Sequence, residues 1–421
     1  MRNPELADLR AVCSQPYGFW LDSALVDGRQ GRRSFWGVEP ELVLRSWGRR
    51  VEIARCRGGM ERFEGDPFEV LRELLAERRG RTAGAAVGYL GYGLKRHIEA
   101  LPDTAVDDVG LPDCYLAFYE RVHAFDPRPL APPPPTPAPT PPFQGLRSSF
   151  SRAAYDAAVR RALAYIRAGD IYQVNVTQRF QARCPGDPFD AYRLLRVQSP
   201  APFAAFLRAP DFAVLSSSPE LFLRYEPADR LIETRPIKGT RPRGSDAATD
   251  AALAREMLAS EKERAENLMI VDLERNDLGR VAEIGSVNVT GLFEVETYAT
   301  VHHLTSTVQA RLREDRDIVD LLRATFPGGS ITGAPKIRAM GIIDELEPVA
   351  RGVYTGAIGY IGFDGALELN IAIRTMVITG GAAYFGVGGG IVADSEPALE
   401  YEETLHKGAA LARVLTGEGS S

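Results

Sequence analysis

A chain of 421 residues, 45% hydrophobic and 25% charged, is long enough for one large or two ordinary domains with a substantial core. A net charge of -6 and a pI near 5.6 exclude the strongly basic face that a nucleic-acid or anionic-membrane partner requires. No apolar run reaches the ~20 residues of a spanning helix, and Met1–Leu6 lacks a signal-peptide core. Cys13, Cys56, Cys114 and Cys184 are far apart with no Cys-x-x-Cys pair, so neither a disulfide framework nor a zinc site is expected, and the location expected is the cytoplasm.

Residues 1–126 alternate short apolar runs with Gly-rich turns such as Phe35-Trp36-Gly37 and Val87–Gly93, the pattern of strands joined tightly. One helix is predicted over Pro67–Arg78, with Asp66 as N-cap and Phe68, Leu71, Leu74 and Leu75 on one face. Between Pro127 and Pro142 ten of the 29 prolines fall within sixteen residues, which predicts an extended linker over 127–145 that joins no core.

Ser151 then caps an amphipathic helix with Tyr155, Ala158, Val159, Ala162, Leu163 and Ile166 on one face and Gly169 as its C-cap. Strands are predicted over Ile171–Phe180, Ala213–Ser216, Leu221–Tyr225, Val301–Gln309, Ala357–Phe363, Ile371–Ile378 and Ala382–Val387. Helices are predicted over Ala247–Ala259, Lys262–Asn276, Ile318–Thr325, Pro335–Leu346 and Pro397–Leu415. Strands clustered in hairpins with helices between the clusters give α+β with largely antiparallel sheets.

Lys238 lies between Ile237 and Gly239 with Pro236 and Pro242 on either side, a stiff and uncrowded setting for a positioned amine. The same residues also read as a basic surface turn. Two helices each carry a Glu-x-x-Glu pair. Ser260 and Glu263 form a capping-box pattern with Glu266 beyond them, while Glu400, Glu403 and Lys407 share one helix face. Such acids are ordinary dipole partners near a helix start, yet two pairs without His or Cys clusters also suit a hard cation such as Mg²⁺. Gly386–Gly390 after a strand and the small-residue loop Phe326–Lys336 before a helix allow close approach of an anion, or are simply tight turns. His302 and His303 are adjacent in a strand and point to opposite faces, so at most one faces a pocket.

Six segments in this order resemble the chorismate-utilising enzymes: Ile171–Asn175, Ser217–Glu220, Pro236–Thr240, Ala265–Asp277, Ser330–Lys336 and Val392–Pro397. The resemblance implies the α+β chorismate-binding fold of anthranilate synthase component I, with largely antiparallel sheets packed as a sandwich and helices outside. It also implies an N-terminal domain over 1–126, the linker, and a catalytic domain over 146–421.

It further implies that Glu266 and Glu403, supported by Glu400 and Glu263, ligate Mg²⁺. Tyr354, Arg374 and the amides of Gly388 and Gly390 would hold the enolpyruvyl carboxylate, Thr240, His303 and Ser330 would line the ring, and Lys407 would bind substrate. Glu220 would protonate the departing hydroxyl. Lys238 stands where the anthranilate, isochorismate and salicylate branches typically carry Ala, and so implies the aminodeoxychorismate branch, with Lys238 as covalent nucleophile. Gln173 stands where the water-using branches usually carry a general-base lysine.

On this resemblance the expected product is 4-amino-4-deoxychorismate, on the way to para-aminobenzoate and folate. The sequence has no Gly-x-Cys-x-Gly nucleophile elbow, so ammonia is expected from a separate glutamine amidotransferase (component II) subunit. Anthranilate synthesis, or a non-catalytic chorismate-binding or amidotransferase-activating scaffold, are the alternatives. Phe19–Ser23 is similar to the region where relatives bind tryptophan, with Asp22 where Glu is common, and no regulation is assigned to it.

Overall fold

The computed structural model describes residues 4–25, 30–31, 33–127, 143, 145–298 and 301–416. The described strands form two antiparallel sheets of ten and twelve strands. Both sheets draw strands from either side of the proline-rich stretch. Phe19–Asp22 pairs with Phe203–Arg208, and Ala85–Leu90 pairs with Ala357–Gly362. The expected segments 1–126 and 146–421 therefore share both sheets, while most of the expected linker lies outside the described residues.

Strand periodicity explains the layering. In Ala85–Leu90, Ala85, Val87 and Tyr89 join the core between the sheets with Phe212, Val214 and Ile358, whereas Ala86 and Leu90 face outer helices. The next strand, Cys114–Tyr119, divides the same way, so all six of its residues are buried. Burial on both faces is why these runs read as continuously apolar. On the outside, Leu6–Ser14, Pro188–Gln198 and Pro397–Thr416 pack on one sheet. Helices Pro67–Ala76 and Ile318–Thr325 contribute to the core on the other, whereas Lys336–Leu346 packs against Gln173–Arg183 of the first. The architecture is an α+β sandwich with helices outside. Among the described residues no helix is long and apolar enough to cross a membrane.

Most expected elements are present with shifted ends, such as Gln173–Arg183 for Ile171–Phe180 and Glu261–Gly279 for Lys262–Asn276. Two helices were not foreseen. Leu6–Ser14 starts from a capping box between Glu5 and Asp8, and Pro188–Gln198 starts from Asp187, whose carboxylate accepts from Phe189 N. The single strand expected over Ile371–Ile378 is broken into Leu367–Ile371 and Thr375–Thr379, because Arg374 adopts a left-handed backbone (φ 48°). Asp22 is buried, accepting from Tyr192 Oη at 3.1 Å and from the Arg196 guanidinium. Its carboxylate is thus engaged within the chain.

Candidate active site

A cavity of about 650 Å³ gathers residues from elements far apart in sequence. The strand Ile237–Pro242 supplies Lys238. It pairs with Val301–Arg311, but the register shifts between Ile237 (opposite Thr305) and Thr240 (opposite His303). Three steps on one strand thus face two on the other, a bulge completed by Gly239 at φ 86°. The lysine is presented by a bulged strand and not by a surface turn. A side chain at Gly239 would also meet the Glu263 carboxylate at 3.0–3.4 Å.

Lys238 faces the cavity with Glu220, which is 4% exposed. Burial lowers the lysine from its ordinary pKa, Lys407 lowers it further, and Glu266, Glu220 and Glu403 oppose the shift. Burial likewise raises the Glu220 carboxyl, against the pull of Ser330 and Lys238. The pair is therefore pushed toward a neutral amine beside a protonated acid. Ser330 is 8% exposed, and its hydroxyl faces this acid without a well-formed hydrogen bond.

Two helix starts form an acidic wall. Ser260 Oγ accepts from Glu263 N at 3.3 Å and caps Glu261–Gly279, which places Lys262, Glu263 and Glu266 on the cavity. The expected capping box does not close, because the Glu263 carboxylate accepts from Arg241 Nη1 at 2.7 Å instead. On Pro397–Thr416 the spacing of three and seven brings Glu400, Glu403 and Lys407 to the same cavity.

Each of the two acids expected to hold Mg²⁺ first has a lysine partner. Lys407 Nζ lies 2.6 Å from Glu403 Oε1, and Lys262 Nζ lies 4.0 Å from Glu266 Oε1. Burial raises Glu266 and Glu400; at Glu403 burial is overcome by Lys407, and the carboxyl lies below its usual range. Among the described residues no three acids, histidines or cysteines converge closely enough to form a preassembled metal cluster. Two carboxylates suffice for Mg²⁺, which keeps its remaining waters. The strand backbone leaves them room: a Cβ at Gly389 would lie 3.1 Å from Glu400 Oε2 and 3.7 Å from Glu403 Oε1. One further oxygen, Glu263 Oε2, is buried without a partner. This all-oxygen set, partly desolvated and shielded by glycine, fits a hard divalent cation.

The far wall is built for an anion. Arg374 has no carboxylate within ion-pair distance among the described residues, and there its guanidinium makes one hydrogen bond, to Ser199 Oγ at 3.4 Å. Burial with no acid beside it lowers its pKa, leaving a guanidinium fork for an incoming carboxylate. Tyr354 is 9% exposed, and its ring lies over Gly386 so closely that a Cβ there would overlap it. Gly388 and Gly390 line the same wall, and Gly388 already offers its carbonyl to Lys407 Nζ at 3.1 Å.

His303 does not line the cavity. It is 2% exposed and lies behind Thr240, with Nδ1 2.9 Å from Thr240 Oγ1, and burial followed by the Arg374 charge pushes it down to about 3. A neutral imidazole of this kind positions the threonine, which does line the cavity. His302 faces the other way, toward Asp250 and Thr297.

Gln173, expected at the position of the water-using branches' general-base lysine, lies beside Lys238. It is fully buried, neither amide atom has a partner, and a Cβ on Gly390 would meet Gln173 Nε2 at 2.8 Å and Lys238 Nζ at 3.5 Å. An amide adjoining the Lys238 amine with both valences open is the signal that only the folded chain gives. Lys262 and His406 also line the cavity unforeseen.

Comparison with known proteins places the chain in a family. The chain is 43% identical to aminodeoxychorismate synthase component 1 of Klebsiella aerogenes, over 94% of this chain and 93% of that one. It is 37% identical to anthranilate synthase component 1 of Acetivibrio thermocellus, over 95% and 90%. The crystal structure of anthranilate synthase component I from Streptococcus pneumoniae TIGR4 superposes with a TM-score of 0.78 at 33% identity, covering 91% of this chain and 92% of that one. The family model described as chorismate binding enzyme matches residues 21–413, and the chain belongs to that family.

Proposed function

We propose that this chain is the chorismate-converting component of an aminodeoxychorismate synthase, replacing the 4-hydroxyl of chorismate by ammonia without loss of pyruvate. Lys238 carries the reading, because an amine lining the cavity is what separates this branch from the anthranilate branch, where Ala is typical. Its lowered pKa and the raised pKa of Glu220 support paired nucleophile and acid roles.

Arg374 and Tyr354 hold the enolpyruvyl carboxylate, and Thr240, set by His303, borders the ring. Glu266 and Glu403, with Glu400 beside them, are the residues that would hold Mg²⁺. When bound, the ion offsets the charge of the ring carboxylate. The neutral Lys238 amine forms a bond to C2 as the C4–O bond breaks, and Glu220 gives its proton to the departing oxygen, which leaves as water. Ammonia then bonds to C4 as the C2–N bond breaks. The proton released from nitrogen returns to Glu220, so one ammonia enters and one water leaves. Gln173, with both amide valences open beside Lys238, supports the amine-using branch. A glutamine amidotransferase subunit as ammonia source, and a cytoplasmic location, belong to the same proposal.

The test is turnover of chorismate with ammonium chloride and Mg²⁺ in the absence of any partner. Accumulation of 4-amino-4-deoxychorismate without pyruvate is expected. Pyruvate with anthranilate would move the chain to the anthranilate branch, and no turnover would favour the scaffold.

A further inference from the structure

The small-residue loop 326–336 brings Ser330 to the cavity, but Lys336 at its end does not line it. Lys336 opens the helix Lys336–Leu346 and turns inward, with 11% of its side chain exposed. Its ammonium donates to the carbonyls of Thr325 and Pro327, each at 2.8 Å, and to the carboxylate of Asp277, whose side chain is 7% exposed. Three N–H bonds thus have three acceptors. An anion-binding loop would leave this charge open to a guest, whereas here it is satisfied inside the fold.

The three acceptors join parts of the site that are separate in sequence. Thr325 ends the helix Ile318–Thr325, and its carbonyl is one of those that a helix end leaves open. Asp277 lies on Glu261–Gly279, the helix whose first turns carry Glu263 and Glu266. One turn before Asp277 the same helix packs under the loop: a Cβ on Gly329 would lie 2.9 Å from Leu273 Cδ2 and 3.7 Å from Glu274 Cγ. Glu274 Oε2 in turn accepts at 3.1 Å from Oγ1 of Thr234, on the strand Leu231–Arg235 that leads to Lys238. Beyond Ser330, Thr332 Oγ1 donates to the Gly328 carbonyl at 2.9 Å. The backbone is therefore held on both sides of Ser330, while the Ser330 hydroxyl is buried and has no hydrogen-bond partner among the described residues. A fixed hydroxyl with an open valence beside an acid is a donor set in advance for that acid's charged form.

We propose that Lys336 is a positioning residue for the acid step: by tying Thr325 and Pro327 to Asp277 it fixes the Ser330 hydroxyl beside Glu220, ready to donate to the carboxylate that forms there. The proposal rests on the acid role of Glu220 given above. Before the transfer the Glu220 carboxyl is neutral and has little need of a donor. As the C4–O bond breaks, the Glu220 proton moves to the departing oxygen and the negative charge stays on Glu220. Ser330 then donates a hydrogen bond to that charge and keeps its own proton. A donor already in place needs no rearrangement at that moment, which lowers the barrier rather than tightening substrate binding. Lys336 acts only through the loop.

Lys336→Met combined with Asp277→Asn removes both charges of the pair, so that neither is left buried alone. In this double variant kcat with ammonium chloride and Mg²⁺ is expected to fall about tenfold or more, with the chorismate KM within about twofold of the parent. Ser330→Ala alone should lower kcat by a similar factor. Adding Ser330→Ala to the double variant should then lower kcat by no more than about twofold further, because the clamp has no other route to the acid. Losses that multiply overturn the proposal, since the pair would then support the fold in general, and an unchanged kcat in the double variant overturns it as well. Should the double variant not fold, Lys336→Gln takes its place in the same cycle and is read in the same way. A Glu220→Gln chain that turns over at the full rate fails the acid reading instead, so the two failures are distinguishable.

Discussion

Lys407 Nζ lies 2.6 Å from Glu403 Oε1 and 3.1 Å from the Gly388 carbonyl, so a protein cation already occupies one side of the acidic wall. Both side chains of the pair are about half exposed, at 47% and 50%, so the pair contributes no more than ~0.2–1 kcal/mol. Lys407→Met is therefore expected to tighten Mg²⁺ binding to the substrate-free protein by up to about fivefold. Calorimetric titration with MgCl₂ reads this directly, and weaker binding in the variant would show that the ammonium does not compete. Glu403→Gln should instead weaken binding and abolish turnover that added Mg²⁺ does not restore.

Lys238→Ala is expected to stop formation of 4-amino-4-deoxychorismate while leaving chorismate binding within an order of magnitude. Lys238→Arg should not rescue it, because arginine keeps the charge but offers no nucleophilic lone pair. Mass spectrometry of the unmodified chain quenched during turnover should detect a chorismate-derived adduct on Lys238. Loss of product in Lys238→Ala with no adduct in the unmodified chain would reduce Lys238 to a charge partner.

The pH profile follows from two opposed shifts. Lys238 must be neutral and is so above its lowered pKa, while Glu220 must be protonated and is so below its raised pKa. The rate should rise with pH as Lys238 loses its proton and fall as Glu220 loses its own, giving a bell. In Glu220→Gln, which cannot ionise, the residual rate should lose the alkaline limb. Its persistence there would assign that limb to another group.

Arg374 is a buried cation with no acid beside it, which is costly until a carboxylate arrives. Charge-assisted hydrogen bonds are worth ~1.5–3 kcal/mol, so Arg374→Ala should raise the chorismate KM by roughly 10–150-fold. Arg374→Lys should recover only part of this, because it loses the fork. A KM within twofold of the parent in Arg374→Ala would place the carboxylate elsewhere.

Gly386→Ala should force the Tyr354 ring aside, destabilising the protein by ~1–3 kcal/mol and raising the chorismate KM. Urea unfolding and steady-state kinetics measure the two effects separately. A stable variant with unchanged KM would show that the ring shifts without consequence.

The helical site residues were legible from local spacing, because Glu400, Glu403 and Lys407 need only a helix to converge. Lys238 was legible as chemistry but not as geometry: nothing in Ile237-Lys238-Gly239 announces the bulge, which arises from pairing with a strand more than sixty residues away. That register also decides that His303 lies behind Thr240 rather than on the cavity. Asp187-Pro188 carries the same start signal as Asp66-Pro67, so that helix start is legible in the sequence. The shared sheets were not readable, since Phe19–Asp22 and Phe203–Arg208 hold no local mark of one another.

That sharing governs how the protein comes into being. When residues 1–126 have left the ribosome, Phe19–Asp22 must wait for Phe203–Arg208, and Ala85–Leu90 must wait for Ala357–Gly362. The nascent chain meanwhile displays two unfinished edges, each rich in buried-type residues and open to pairing with another copy. Synthesis almost to its end precedes closure of either sheet, so this enzyme matures late and slowly, with non-local pairing setting the pace.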